Sequence, residues 1–256
     1  MPEGDTVWRT ARSLEAALAG ADVVADLRVP SLAEVSLSGR VTTLARGKHL
    51  LTRFDGGCTL HTHLRMEGSW HLYRPGEAWR RPAHQARAVL ASPEWTAVGF
   101  SLGVVEVVAT AEEHTVVGHL GPDLLGDWDP VEALRRLRSD PSRPLHPALL
   151  DQRNLAGVGN LYATELCFLA GVAPTRPVEA VPDLERVVDR AHRLLRANAE
   201  RAQQTTTGDL RAGRQTWVYD RDRRPCRRCG TRITSVRLGP TGQERLAAWC
   251  TRCQPG

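Results

Sequence analysis

The sequence has almost no lysine. Of its 34 basic residues, 33 are arginine and Lys48 alone is lysine. Arginine stays protonated in proteins, whereas a lysine can move a proton once its environment shifts its pKa. The exception therefore draws attention to its own position. No apolar run approaches the roughly 18 residues of a membrane span, and the N-terminus lacks the basic-then-apolar layout of a signal peptide. No membrane is expected as a partner, and a cytoplasmic location is the expectation. There is no internal repeat and no low-complexity segment, which excludes solenoid and fibrous architectures. Acidic residues are scarce at one end only: residues 201–256 hold 12 arginines against 4 acidic residues, while the first 200 residues are slightly acidic on balance. Such a basic end is either a solvated tail or a polyanion-binding module.

Six cysteines are present, and four of them are paired. Cys226-x-x-Cys229, then 20 residues, then Cys250-x-x-Cys253 is the spacing of a four-thiolate zinc site. Four ligands complete a tetrahedron and leave no open position, so one structural Zn2+ per chain is expected. Nine arginines around these cysteines favour nucleic-acid phosphate as the partner of the hairpin. Cys58 and Cys167 stand alone and read as ordinary buried thiols.

The chain begins Met1-Pro2-Glu3-Gly4-Asp5. Proline at position 2 leaves the initiator methionine removable, and removal would expose a secondary amine beside a carboxylate. An α-amino group titrates near about 7.7–8.0 against about 10.4 for lysine, so a useful fraction is neutral at pH 7. Such an amine can attack an aldehyde-level carbon and form a Schiff base. From Asp5 onward Val7, Ala11, Leu14 and Leu18 mark one helical face, with Asp5 or Thr6 as N-cap and Gly20 as terminator.

Residues 23–117 carry short Val-, Thr- and Leu-rich segments between turn formers, among them 41–44, 49–54, 59–63, 86–90 and 104–109. This pattern suggests an antiparallel sandwich or barrel. Turn formers cluster at 118–130, and helices are expected at 131–137, 147–151, 160–169 and 182–202. The fold class is α+β, with domains expected at 1–118 and 131–212, a linker at 119–130 and a zinc finger at 213–256. The turn Asn154-Leu155-Ala156-Gly157-Val158-Gly159-Asn160 precedes a helix N-terminus. Gly159 and Asn160 there are either a phosphate grip or part of a plain connector. The remaining P-loop residues are missing, so no nucleotide cofactor is expected.

These pieces together resemble the formamidopyrimidine-DNA glycosylase / endonuclease VIII family of bacterial base-excision repair enzymes. The matching segments are 1–4, 46–51, 63–68, 120–125, 151–165 and the hairpin 215–254, in family order across nearly the whole chain. Gly4, where the formamidopyrimidine branch usually has leucine, leans toward endonuclease VIII. The resemblance implies an N-terminal helix on a β-sandwich, a helix-two-turn-helix domain and a zinc finger, acting as a monomer on damaged double-stranded DNA. It also implies roles. Pro2 would attack the anomeric carbon, and Glu3 would move protons at the sugar. Lys48 would contact phosphate and assist β-elimination, Asn160 would grip phosphate, and Arg245 would contact the phosphate flanking the lesion and assist δ-elimination. Met66, with Arg65 beside it, would fill the gap left by the extruded base, the alternative being a core methionine.

Two departures stand out. The Arg-Arg-Phe-Gly wedge segment of the purine-lesion branch has no match in residues 92–103, and Arg65-Met66-Glu67 replaces the Gln-Leu-Tyr wedge of endonuclease VIII. The expectation is a glycosylase and abasic-site lyase for oxidised pyrimidines. The alternatives are the same chemistry on oxidised purines, or a non-catalytic zinc-finger DNA-binding protein. His61 and His63, two apart on a strand, could share one face and hold a second metal.

Overall fold

The computed structural model describes residues 2–255, and the chain divides into two compact units that meet at His119 and Leu120.

The first unit begins with helix α1 (Gly4–Leu18), whose Val7, Ala11, Leu14 and Leu18 are all buried, as the spacing predicts. The helix starts earlier than expected. Glu3 is the N-cap, its carbonyl accepting from the Val7 N–H at 3.0 Å, and Asp5 falls within the first turn. The backbone alone opens the helix, because no side chain caps it. Gly20 lies just beyond the C-cap, Ala19.

Eight strands follow: β1 (Asp22–Leu27), β2 (Leu37–Arg46), β3 (His49–Phe54), β4 (Cys58–His63), β5 (Ser69–Tyr73), β6 (Ala86–Ala91), β7 (Thr96–Phe100) and β8 (Val104–Ala109). Their order is β5-β7-β6-β1-β2-β3-β4-β8, with every pairing antiparallel. The ten-residue β2 holds the two halves together. Its first part, Leu37–Arg40, pairs with β1, and its second part, Val41–Arg46, pairs with β3. Gly39 sits just before this change of partner at φ +134°, where a Cβ would lie 2.2 Å from Asp55 Oδ1. Only glycine fits there. Val23, Leu27, Ala88, Leu90 and Ala97 from one half share a core with Val41, Leu50, Phe54 and Leu60 from the other, sealed by α1. This is the sandwich the alternating segments predict. The short helix α2 (His114–Val117) closes the unit.

The second unit is built on α3 (Pro130–Arg138), α4 (Leu145–Leu150), α5 (Asn160–Ala170) and α6 (Leu184–Ala199). Asp129 caps α3, accepting from the N–H groups of Val131 and Glu132, and Asp183 caps α6 through Arg186. Helix α5 is buried on every side from Asn160 to Phe168, so the other helices pack around it. Leu124 joins this core, and Asp123 bridges to Ala156. The chain ends in a hairpin of β9 (Thr234–Leu238) and β10 (Arg245–Trp249), with its own small core of Phe168, Val218, Cys226, Ile233, Ala248 and Cys250. Among the described residues no helix is long and apolar enough to cross a membrane.

Candidate functional site

In the first unit the sequence-predicted residues occupy three places, the start of α1, the turn between β2 and β3, and the loop after β4. Pro2 is half-buried and Glu3 fully buried at the start of α1, where the helix dipole disfavours a protonated amine and favours anions. Lys48 is half-buried in the two-residue turn Gly47–Lys48 between β2 and β3. Arg65 and Met66 lie in the tight loop after β4, closed by the Gly68 N–H donating to the Leu64 carbonyl at 2.9 Å. Met66 is 62% exposed, which rules out a core methionine. Arg65 adopts φ +53°, with its N–H donating to His63 Nδ1 at 2.9 Å. Its stem passes over Gly103 so closely that a Cβ there would meet Arg65 Cγ at 2.1 Å.

The strand register sets a row of polar groups across one face of the sheet. His49 on β3 is paired with His63 on β4, and His61 on β4 with Glu106 on β8. His61 Nδ1 lies 2.6 Å from Glu106 Oε1, and its Nε2 lies 2.8 Å from His49 Nδ1. His49 also meets the rings of His63 and His119 edge-on. Burial, then its histidine neighbours, pushes the His49 pKa down to about 3. His63 is pushed down to about 4, chiefly by burial and then by Arg65 and Lys48. The shared face expected for His61 and His63 therefore exists, but both ring nitrogens of His61 are engaged. Among the described residues the four cysteines form the only cluster that could hold a metal. A glutamate inside Val104-Val105-Glu106-Val107-Val108 was the visible signal for this row, but the partner it would meet depends on a register that the sequence does not state.

In the second unit Asn160 opens α5 with Gly159 as N-cap. Its Nδ2 donates to the Leu246 carbonyl at 3.0 Å, and its side chain also meets the buried His146 ring. The start of α5 is thus tied to β10 one residue from Arg245, whose side chain is exposed. The Arg245 guanidinium itself turns back to the Gln243 and Glu244 carbonyls.

Glu165, fully buried at mid-α5, escaped the sequence reading. Its Oε1 accepts from the N–H groups of Val218 and Tyr219 at 2.8 and 2.7 Å. Its Oε2 accepts from Trp217 N–H at 2.8 Å and from the Thr206 hydroxyl. Burial pushes this carboxyl up, and the four donors oppose the rise. A lone acid in the apolar run Leu161–Ala170 was the signal available.

The four cysteine sulfurs lie within 4.8 Å of one another, with Cys229–Cys250 at 3.4 Å and Cys226–Cys253 at 4.0 Å. A disulfide needs about 2.05 Å. A tetrahedron of thiolates about 2.3 Å from a central ion has edges of about 3.8 Å, so this donor set fits a tetrahedral metal. Hydrogen bonds from the Thr231 hydroxyl and amide bring the Cys229 thiol down to about 6. The buried Gln254 accepts from the Cys250 N–H and donates to the Val172 carbonyl, holding the cluster to the end of α5. Arg228 lies 4.5 Å over the Phe168 ring.

This architecture is shared with solved structures. A Lactococcus lactis Fpg (MutM) in complex with N7-benzyl-Fapy-dG-containing DNA superposes with a TM-score of 0.80 over all of both chains at 21% identity. The same protein bound to abasic-site DNA gives 0.81 at 20% identity, again over both whole chains. Residues 1–102 match the formamidopyrimidine-DNA glycosylase N-terminal domain, and residues 120–209 match the formamidopyrimidine-DNA glycosylase H2TH domain. The chain is 53% identical to a probable endonuclease 8 2 of Streptomyces coelicolor, covering 100% of this chain and 95% of that protein. It is 50% identical to the DNA-(apurinic or apyrimidinic site) lyase Nei2 of Mycolicibacterium smegmatis, over 99% of each. The chain belongs to the formamidopyrimidine-DNA glycosylase / endonuclease VIII family of DNA-repair glycosylases and lyases.

Proposed function

We propose that this protein excises oxidised pyrimidines from double-stranded DNA and cleaves the resulting abasic site, using Pro2 as nucleophile. The observation that carries the reading is the start of α1. There a half-buried Pro2 adjoins a fully buried Glu3 at a helix N-terminus. The removal of Met1 that this needs lies outside the described residues. The freed Pro2 nitrogen attacks C1′, the glycosidic bond breaks, and the base departs with a proton. Ring opening then gives a Schiff base, with Glu3 moving the proton at the sugar oxygen. An ionised glutamate cannot donate, so this role requires Glu3 to carry a proton while the sugar is bound. Lys48 assists β-elimination and Arg245 δ-elimination.

Asn160, Gly159 and Arg245 hold phosphates, while Met66 with Arg65 fills the space left by the extruded base. Its 62% exposure supports that role. Cys226, Cys229, Cys250 and Cys253 would hold Zn2+, which supplies folding energy to the hairpin and no chemistry. The arginines of the hairpin then bind the backbone. The roughly 50% identity to proteins named endonuclease 8 and Nei2, against 33% to a formamidopyrimidine-DNA glycosylase, supports the endonuclease VIII side of the family, on which the pyrimidine reading rests.

Borohydride trapping tests this. The protein should form a covalent adduct with thymine-glycol duplex in preference to 8-oxoguanine duplex, and Pro2→Gly should abolish it. An adduct unaffected by Pro2→Gly removes the proline from the mechanism, and a preference for 8-oxoguanine reverses the substrate assignment.

A further inference from the structure

The row Glu106–His61–His49 has no part in the chemistry above. Hydrogen-bond logic fixes its protons. An ionised Glu106 can only accept, so His61 Nδ1 must carry a proton toward it at 2.6 Å. If His61 is neutral, its Nε2 is then a lone pair, and the 2.8 Å contact requires His49 Nδ1 to be the donor. Both rings are thereby set as Nδ1–H tautomers, and His49 Nε2 is left unprotonated. A proton taken from solvent at His49 Nε2 changes this. The Nδ1 proton of His49 passes to His61 Nε2, His49 becomes the Nε2–H tautomer, and the positive charge rests on His61 against Glu106. One proton enters, one moves between the rings, and no bond to carbon changes.

The groups around His49 make the destination of that charge matter. His63 and Arg65 come from β4 and the loop after it, His119 follows α2, and Arg46 and Lys48 sit at the β2–β3 turn. Three of these are cations, and Glu106 is the acid hydrogen-bonded to this row. An imidazolium at His49 would stand among like charges, whereas one at His61 has a carboxylate beside it.

We propose that the Glu106–His61–His49 chain is a positioning relay for the Lys48 turn, passing any proton taken up at His49 on to His61, where Glu106 neutralises it. The sheet face beside Lys48 so keeps a constant charge while that lysine and the DNA phosphate meet. This rests on the reading of Lys48 in the elimination step. His61 and Glu106 touch no reacting atom in this scheme. The low pKa of His49 agrees with a site that does not keep its proton.

The test uses the full zinc-loaded chain. Long-range 1H–15N spectra at pH 8 should show both His49 and His61 as Nδ1–H tautomers, and acid titration should place the first proton on His61. In Glu106→Gln the pH at which the chain takes up that proton should fall by about one unit, because the stabilising carboxylate is gone. Strand cleavage on a preformed abasic-site duplex should be flat through that pH in the parent, and should fall with the row's proton uptake in Glu106→Gln, where no carboxylate neutralises the charge. Glu112→Gln, an exposed acid just after β8, should move neither. An Nε2–H tautomer at His49 at pH 8, first protonation at His49, or a parent cleavage profile that falls with the row's own proton uptake would each overturn the relay. Failure of the proline reading appears instead as borohydride trapping indifferent to Pro2→Gly, and leaves the tautomer spectra unchanged.

Discussion

In residues 2–119 buried polar groups are aligned by strand register, whereas in residues 120–255 they are gathered onto single acceptors. The sheet puts Arg53 opposite Thr59, and both reach Glu113. Arg53 donates to its two carboxylate oxygens at 2.8 and 2.6 Å, and the Thr59 hydroxyl donates to one of them at 2.7 Å. One row along stands the His61 set. Each group has a cross-strand neighbour, so the burden is spread over the sheet. In the helical unit Glu165 alone anchors three consecutive backbone N–H groups and Thr206, and four clustered cysteines sit at the centre of the hairpin's small core. A sheet with a continuous core tolerates the loss of one polar contact. A segment hung on one carboxylate or one ion does not.

Three experiments sharpen or break that contrast. The largest effect is expected from metal removal. Stripping the proposed Zn2+ with a chelator should unfold the hairpin and weaken duplex binding at least about 100-fold, since apparent binding energies of structural zinc reach about 10 kcal/mol or more. Hydrogen exchange should show β1–β8 as well protected as before. Loss of protection there would erase the distinction between the units.

Next comes Glu165→Gln. The new amide presents N–H groups to N–H donors, and each orphaned donor costs about 1–3 kcal/mol. A loss of about 3 kcal/mol in denaturant unfolding is expected, with residues 205–219 exchanging fastest. A change below about 1 kcal/mol would mean that the loop is held by other contacts.

The smallest effect is expected from Glu113→Gln. The hydrogen bond from Arg53 holds the Glu113 carboxyl below its usual range. A depressed folded pKa stabilises above the unfolded value of about 4.3 and loses that contribution as pH falls through the folded value. The variant should be less stable than the parent near neutrality, and the gap should close as pH falls below about 4. A gap independent of pH would show that the pair contributes through packing alone.

How much of this was legible in the sequence follows from how local each signal is. Strand β3 was read to the residue as His49–Phe54, because turn formers bound it on both sides. Helix α5, read as ending at Leu169, runs one residue further to Ala170 before Gly171 stops it. The cysteine spacing is likewise local and carried the metal cluster. Strands β1, β5 and β7 were not picked out, since half-buried residues blur the alternation in β5 and β7 is only five residues long. The expected helix at 147–151 begins at Leu145 with Pro147 inside its first turn. Glu106 and Glu165 were missed for one reason. Their partners lie 45 residues upstream and more than 40 residues downstream, and only the folded register or loop brings them near. The exposure of Met66 was expected only through the resemblance, since the left-handed backbone at Arg65 beside it has no local signal in the sequence.

The tie between the Asn160 amide and the carbonyl of Leu246 spans 86 positions of chain. It makes the first turn of α5 and the leading edge of the hairpin one mechanical piece. A polymer that pulls on the arginine at that edge also displaces the glycine-flanked turn behind it. With the phosphate-holding roles proposed for Asn160 and Arg245, the two should engage and release together, and loosening either one should be felt at the other.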